Sequence, residues 1–84
     1  MKELVVLYGN NCGYCKKAKM LIKRALEKET KYTALNIRFV LDEDQEGKNY
    51  PHTLIPAFYC DGEMFFEGNP NMDIVMSTLK DCYE

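Results

Sequence analysis

The stretch LVVLYGNNCGYC, residues 4–15, decides how this chain folds. It begins with a continuous apolar run, Leu4-Val5-Val6-Leu7, which is typical of a strand covered on both faces. Gly9-Asn10-Asn11 ends the run, and two cysteines separated by two residues follow it. From Cys15 onward apolar residues recur at helical spacing, so we expect Cys15 on the core side of a helix.

Cys12 is predicted at the N-terminus of that helix, where unpaired backbone N–H groups and the helix dipole favour an anion. A thiolate is such an anion, and cysteines in this position can have lowered pKa values. Lys16 and Lys17 lie one turn further along and add positive charge. We therefore predict that Cys12 is the catalytic nucleophile of thiol-disulfide exchange and that Cys15 is the catalytic resolving thiol.

Metal binding and inert burial are the alternatives for this pair. A structural zinc site usually takes four ligands from two close pairs, whereas Cys60 and Cys82 are isolated and His52 is the only histidine. Cys60 lies in a predicted strand and Cys82 on the apolar side of a predicted helix, so each is interpreted as a small buried hydrophobic residue. His52 is either a proton shuttle or a loop residue without a catalytic role. The pattern favours redox chemistry and predicts no metal site.

The composition predicts one domain, residues 1–84. Apolar residues make up 46% of the chain and charged residues 29%, and the net charge of −2 provides no general attraction to nucleic acid or acidic membranes. The longest apolar run near the N-terminus is too short for a signal peptide or a membrane span. We therefore predict a cytoplasmic protein without a nucleic-acid or membrane partner, and we do not expect the two structural disulfides of a secreted mini-protein.

The remaining chain alternates between strand and helix patterns. Residues 33–41 alternate like a strand at the edge of a sheet, and an acidic connection follows. Aromatic residues dominate 57–60 and 63–67, and Asp61-Gly62 between them is a strong hairpin signal. These elements predict a compact α/β sandwich that begins with a βαβ unit.

The hairpin and the last helix lead to more detailed expectations. Pairing across the turn places Phe58 opposite Phe65, and both faces of the hairpin are expected under helices. Asn69 is predicted to cap the last helix, with Pro70 at its first position. Pro56 opens the third strand, where the missing N–H group is tolerated.

These motifs resemble the glutaredoxin branch of the thioredoxin superfamily. The segments Val5-Val6-Leu7-Tyr8 and Cys12-Gly13-Tyr14-Cys15-Lys16-Lys17-Ala18-Lys19 are close to its strand-to-helix signature, and Ile55-Pro56 occupies the place of its cis-proline dipeptide. The resemblance implies a thioredoxin-like fold with a four-stranded mixed sheet in the order 2-1-3-4, strand 4 antiparallel, flanked by helices. It also implies a cis Ile55–Pro56 bond and a glutaredoxin-like thiol-disulfide oxidoreductase.

Four residues become candidates for substrate binding through this resemblance: Tyr14, Lys16, Ile55 and Pro56. A cis-proline loop beside the thiols leaves the backbone of Ile55 free to pair with an extended substrate. Tyr14 either lines the substrate groove or covers the helix end. Lys16 or Lys17 either attracts the carboxylates of glutathione or belongs to a solvated helix face.

Departures from the glutaredoxin pattern leave the electron donor open. Gly13 replaces the usual proline, and residues 67–73 lack the Gly-Gly motif that holds the γ-glutamyl end of glutathione. The resemblance implies a monomer without a permanently bound cofactor that reduces protein or low-molecular-weight disulfides, with glutathione or a thioredoxin reductase as donor. The alternative is a glutathione-dependent carrier of a [2Fe-2S] cluster, which some glutaredoxins with a non-proline dipeptide hold between two subunits.

Overall fold

Strand β1, Glu3–Tyr8, is one of the two central strands of the sheet in a computed structural model that describes residues 2–84. It pairs in parallel with β2, Asn36–Leu41, and antiparallel with β3, Ala57–Cys60. Strand β4, Glu63–Glu67, runs antiparallel to β3 at the other edge. The sheet order is β2-β1-β3-β4. The predicted thioredoxin-like fold and strand order are confirmed.

Two α-helices pack on one face of this sheet. They are α1, Gly13–Lys28, and α2, Met72–Tyr83, and a 3-10 turn at Thr30–Ala34 connects α1 to β2. Their apolar sides meet inward-facing residues of the sheet in the larger core, which includes Leu4, Val6, Ala18, Leu21, Ile22, Ala25, Phe58, Val75 and Leu79. Within residues 2–84, no helix combines the length and hydrophobicity that crossing a membrane requires.

The opposite face of the sheet is covered by the connection between β2 and β3. Val5 and Leu7 are buried there, in a smaller core against Tyr50 and Ile55 of the connection. The rings of Tyr50 and Tyr59 meet edge to face, with centroids 5.0 Å apart. The expectation of helices on both faces of the hairpin was therefore wrong, because both helices share the first face and an irregular segment supplies the apolar cover of the second.

The hairpin between β3 and β4 contains an irregularity that the sequence did not reveal. Asp61 and Gly62 both have positive φ, 50° and 85°, as a tight hairpin turn requires. Phe58 lies opposite Phe66, not Phe65 as predicted, because the register shifts by one residue between Phe58 and its neighbour. Such a bulge bends the strand and changes which side chains face each other.

Helix α2 begins later than predicted. Its N-cap is Asn71, whose side-chain oxygen accepts the backbone N–H of Ile74 at 2.8 Å. Asn69 instead accepts a hydrogen bond from Lys17 Nζ at 2.9 Å, which ties α1 to the segment that leads into α2. Asn71 therefore caps α2, whereas Asn69 makes a tertiary contact with α1.

Candidate active site

Cys12 is the N-cap residue of α1. Its backbone is extended, with φ −108° and ψ 108°, and its sulfur accepts the backbone N–H of Cys15 at 3.2 Å. The carbonyl oxygen of Cys12 accepts the N–H of Lys16, also at 3.2 Å, and so begins the helical hydrogen bonding. Asn11, immediately before, has φ 58°, a left-handed conformation that asparagine tolerates well. The structure confirms the predicted position of Cys12 at the helix N-terminus.

Cys12 and Cys15 are joined by a disulfide, with their Cα atoms 5.2 Å apart. The two sulfurs have different surroundings. The Cys15 side chain belongs to the buried side of α1 and is only 3% exposed, whereas Cys12 is partly exposed. A substrate in solvent therefore reaches Cys12 more easily than Cys15, as the predicted division of roles requires.

The cis-proline loop lies directly beside this disulfide. The Ile55–Pro56 bond is cis, as the family resemblance implied. The carbonyl oxygen of Ile55 is 4.0 Å from Cys12 Sγ. A Cβ atom at Gly9 would lie 2.5 Å from Ile55 Cδ1, so a glycine there lets the loop before Cys12 approach the cis-proline loop closely. Pro56 is buried and Ile55 is half-buried, so proline supports the loop from inside while part of Ile55 stays accessible.

The surface next to Cys12 combines apolar groups with the exposed side chain of Lys16. Tyr14 is 52% exposed and Leu54, next to Ile55, is 54% exposed. Lys16 is exposed, whereas Lys17 is half-buried and bonded to Asn69. Of the predicted binding residues, Tyr14, Lys16 and Ile55 therefore present surface near the disulfide.

Glu67, the last residue of β4, is a part of the site that sequence reasoning missed. Its Oε1 atom accepts the backbone N–H groups of Thr53 and Leu54, at 2.8 Å and 3.0 Å. These two hydrogen bonds lower the pKa of the Glu67 carboxyl, and the bond from Thr53 has the larger effect. A weaker electrostatic attraction to His52 also lowers this pKa. No local pattern indicates this role, because the bonded residues are 14 and 13 positions apart.

We expect Glu67 to titrate below the ordinary glutamate pKa of 4.5. Because its pKa is lower in the folded state than in the unfolded one, its stabilising contribution is present above the unfolded pKa and is lost as the pH falls through the folded pKa. Nuclear magnetic resonance should show the amide protons of Thr53 and Leu54 titrating with a midpoint below 4.5. Glu67→Gln should remove this titration, and a midpoint at or above the ordinary value would contradict the hydrogen bonding.

His52 is oriented by the connection between β2 and β3. Its Nδ1 atom is 2.6 Å from the carbonyl oxygen of Tyr50, and its Nε2 atom is 3.7 Å from Asp42 Oδ2. Both ring nitrogens thus have partners in their own segment. Across residues 2–84, the structure places no group of three or more His, Cys, Asp and Glu side chains where they would hold a metal ion.

A second disulfide joins Cys60 of β3 to Cys82 of α2, with Cα atoms 5.7 Å apart. Both side chains are buried, at 4% and 0% exposure. Interpreting them as separate buried hydrophobic residues, and not expecting a second bridge, was wrong, because α2 packs on the sheet and brings together cysteines that lie 22 residues apart. The even number of cysteines was the only sequence signal for this bridge.

The two disulfides lie near opposite ends of β1. Cys60 pairs with Leu4 at the start of β1, whereas the loop that carries Cys12 follows Tyr8 at its end. At about 3.3 Å per residue, the strand separates these ends by roughly 13 Å. Direct exchange between the two pairs is therefore excluded in the folded state, and only the Cys12–Cys15 pair lies beside the cis-proline loop.

A Cys-x-x-Cys pair at a helix N-terminus, beside a cis-proline loop on this α/β fold, defines the class of thiol-disulfide oxidoreductases. The chain belongs to the thioredoxin-domain family, which matches residues 2–80. No sequence among curated proteins is similar enough to this chain to count as a relative.

Solved structures share the fold of this chain at low sequence identity. The reduced periplasmic thioredoxin SoxS from Paracoccus pantotrophus superposes with a TM-score of 0.72 at 18% identity, over 98% of this chain and 95% of that one. The oxidised thioredoxin from Plasmodium falciparum gives 0.72 at 20% identity, over 95% and 79% of the two chains. A selenoprotein W-related protein from Vibrio cholerae gives 0.60 at 13% identity, over 99% and 98%. At these identities the similarity shows the fold alone.

Proposed function

We propose that this protein reduces disulfides of other proteins through a Cys12 mixed disulfide that Cys15 resolves. The observation that carries this proposal is the backbone N–H of Cys15, which points at Cys12 Sγ at 3.2 Å from the first turn of α1. An N–H donor and the positive end of a helix dipole both stabilise a thiolate, the reactive form of cysteine.

Each turnover moves two electrons from the dithiol to the substrate. The Cys12 thiolate attacks one sulfur of the substrate disulfide, forms a mixed disulfide and releases the other substrate sulfur as a thiolate, which takes up a proton. Cys15, deprotonated, then attacks Cys12 Sγ. The Cys12–Cys15 disulfide forms, and the second substrate sulfur leaves as a thiolate that takes up a proton in place of the one Cys15 released. A reductant must afterwards return two electrons to this disulfide.

The cis-proline loop supports binding of an extended polypeptide. The carbonyl oxygen of Ile55 lies 4.0 Å from Cys12 Sγ, which supports its pairing with the main chain of a substrate whose sulfur faces Cys12. Pairing of this kind uses backbone groups common to all peptides, so it orients many different substrates. The exposed side chains of Tyr14 and Leu54 add apolar contact on the same surface.

For the electron donor we favour a thioredoxin reductase over glutathione. Membership of the thioredoxin-domain family supports this choice. The segment from Glu67 onward stands where glutaredoxins carry their Gly-Gly motif, and the Glu67 carboxylate there is already bonded to the chain's own loop. A fixed negative charge at this place disfavours the α-carboxylate of glutathione's γ-glutamyl group. Cytoplasmic location, a monomeric state and the lack of a permanent cofactor stay predictions from the sequence.

Two coupled assays separate the donors. Insulin reduction is measured with NADPH and a thioredoxin reductase, and in parallel with NADPH, glutathione and glutathione reductase. We expect turnover with the first system at a rate about tenfold or more above the second, because the Glu67 carboxylate disfavours the binding of glutathione to this protein. Turnover only with glutathione would support the glutaredoxin-like assignment. No turnover with either system, with brown protein after anaerobic purification, would support the [2Fe-2S] carrier instead.

A further inference from the structure

We propose that Glu67 is a positioning residue for protein substrates, because it holds the cis-proline loop at the distance from Cys12 that backbone pairing needs. This inference rests on the function proposed above and adds a residue that determines which disulfides are reduced efficiently. Glu67 acts through Ile55 and is not itself in contact with either active-site sulfur among the described hydrogen bonds.

Besides the packing of Ile55 in the smaller core, hydrogen bonds from the end of β4 hold this loop. Residues 51–56 form neither helix nor strand. Glu67 binds the N–H groups of Thr53 and Leu54, the two residues directly before Ile55, with a single carboxylate oxygen. On the other side of the cis bond, the N–H of Gly68 donates to the carbonyl oxygen of Pro56 at 2.9 Å. The end of β4 therefore anchors the loop on both sides of Ile55.

The Glu67 side chain that holds the loop is itself fixed in position. Glu67 pairs with Ala57, the first residue of β3, so its backbone belongs to the sheet. Its side chain is half-buried, and hydrogen bonds from N–H donors to a carboxylate are stronger than those to a neutral acceptor. Gly68 follows with φ 110°, a conformation that favours glycine and turns the chain away from the strand. The carboxylate is therefore held at the place that the loop amides need.

The position of the cis-proline loop should affect the binding of peptide substrates more than it affects thiol-disulfide exchange at Cys12. A protein disulfide uses the Ile55 backbone to orient its sulfur, whereas a small non-peptide disulfide meets only the Cys12 sulfur. The hydrogen bond from the Cys15 N–H to Cys12 Sγ lies in the first turn of α1 and does not involve Glu67. Displacing the loop should therefore raise the KM for proteins without an equal effect on small disulfides or on alkylation of Cys12.

The test compares Glu67→Ala with Glu67→Gln, which keeps an acceptor oxygen at the same distance, and Glu67→Asp, which keeps the charge but shortens the side chain. Glu63→Ala, in the same strand and exposed, is the matched control. We expect Glu67→Ala to raise the KM for insulin about tenfold, with hydroxyethyl disulfide reduction and Cys12 alkylation changed by less than about twofold. Glu67→Gln should restore most of the affinity for insulin, and Glu67→Asp should restore less.

Three results would overturn the inference: an unchanged KM for insulin in Glu67→Ala, an equal loss on insulin and hydroxyethyl disulfide, or better rescue by Glu67→Asp than by Glu67→Gln. Thermal unfolding of each variant shows whether it is folded. If Glu67→Ala does not fold, the KM values of Glu67→Gln and Glu67→Asp for insulin still test the inference. Wild-type protein inactive on both substrates would instead reject the proposed function, so the two failures are distinguishable.

Discussion

Replacing Cys12 by serine is expected to lower the rate of disulfide reduction by roughly a thousandfold or more, because a serine hydroxyl neither ionises near neutral pH nor forms a mixed disulfide. Insulin reduction with a coupled reductase measures this loss. Cys15→Ser should behave differently, because its Cys12 still attacks the substrate. The first exchange should then proceed, but the mixed disulfide on Cys12 should not be resolved. Mass spectrometry should detect this mixed disulfide as a stable species.

A double variant of the second pair, Cys60→Ala with Cys82→Ala, is the matched control for this prediction. It removes the other two cysteine sulfurs but leaves the helix N-terminus and the cis-proline loop intact, so it should retain turnover at a temperature where it is folded. Undiminished turnover in Cys12→Ser, or a mixed disulfide that forms on Cys15 instead, would contradict the assigned roles.

The same double variant should show the second large effect, a loss of about 3 kcal/mol in the free energy of unfolding. The Cys60–Cys82 bond closes a loop across a sequence separation of 22 residues and joins α2 to the sheet, so it restricts the unfolded chain. For a domain of this size, that loss corresponds to a melting temperature lower by roughly 10–20 °C. Urea titration and thermal unfolding by circular dichroism measure both quantities.

Wild-type protein reduced only at Cys12–Cys15 and fully reduced wild-type protein provide the control for the alanine substitutions, which also remove buried sulfur atoms. The fully reduced form also loses the Cys60–Cys82 bond but keeps the sulfur atoms, so the difference in stability between the two forms isolates the covalent contribution. Because Cys60 and Cys82 are both buried, mild reductant should open Cys12–Cys15 much sooner than this bond. Equal stability of the two forms, or faster reduction of Cys60–Cys82, would contradict a structural role for the bridge.

Local patterns were sufficient to predict the active-site half of the molecule. The continuous apolar run of β1 requires cover on both faces, and the helical spacing after Cys15 places one thiol inward and leaves Cys12 at the helix start. Each of these signals lies within a few residues of the structure it predicts. The cis bond at Pro56 came from family resemblance instead, since spacing alone favours trans.

The tertiary structure alone decided what covers the second face of the sheet, where the bulge falls in the hairpin, how Cys60 meets Cys82, and which residue holds the loop before Pro56. Each of these depends on contacts between residues far apart in the chain, so it follows from the packing of whole elements. A carboxylate such as Glu67 looks like any surface charge in the sequence, and only the fold brings two unpaired N–H groups to it.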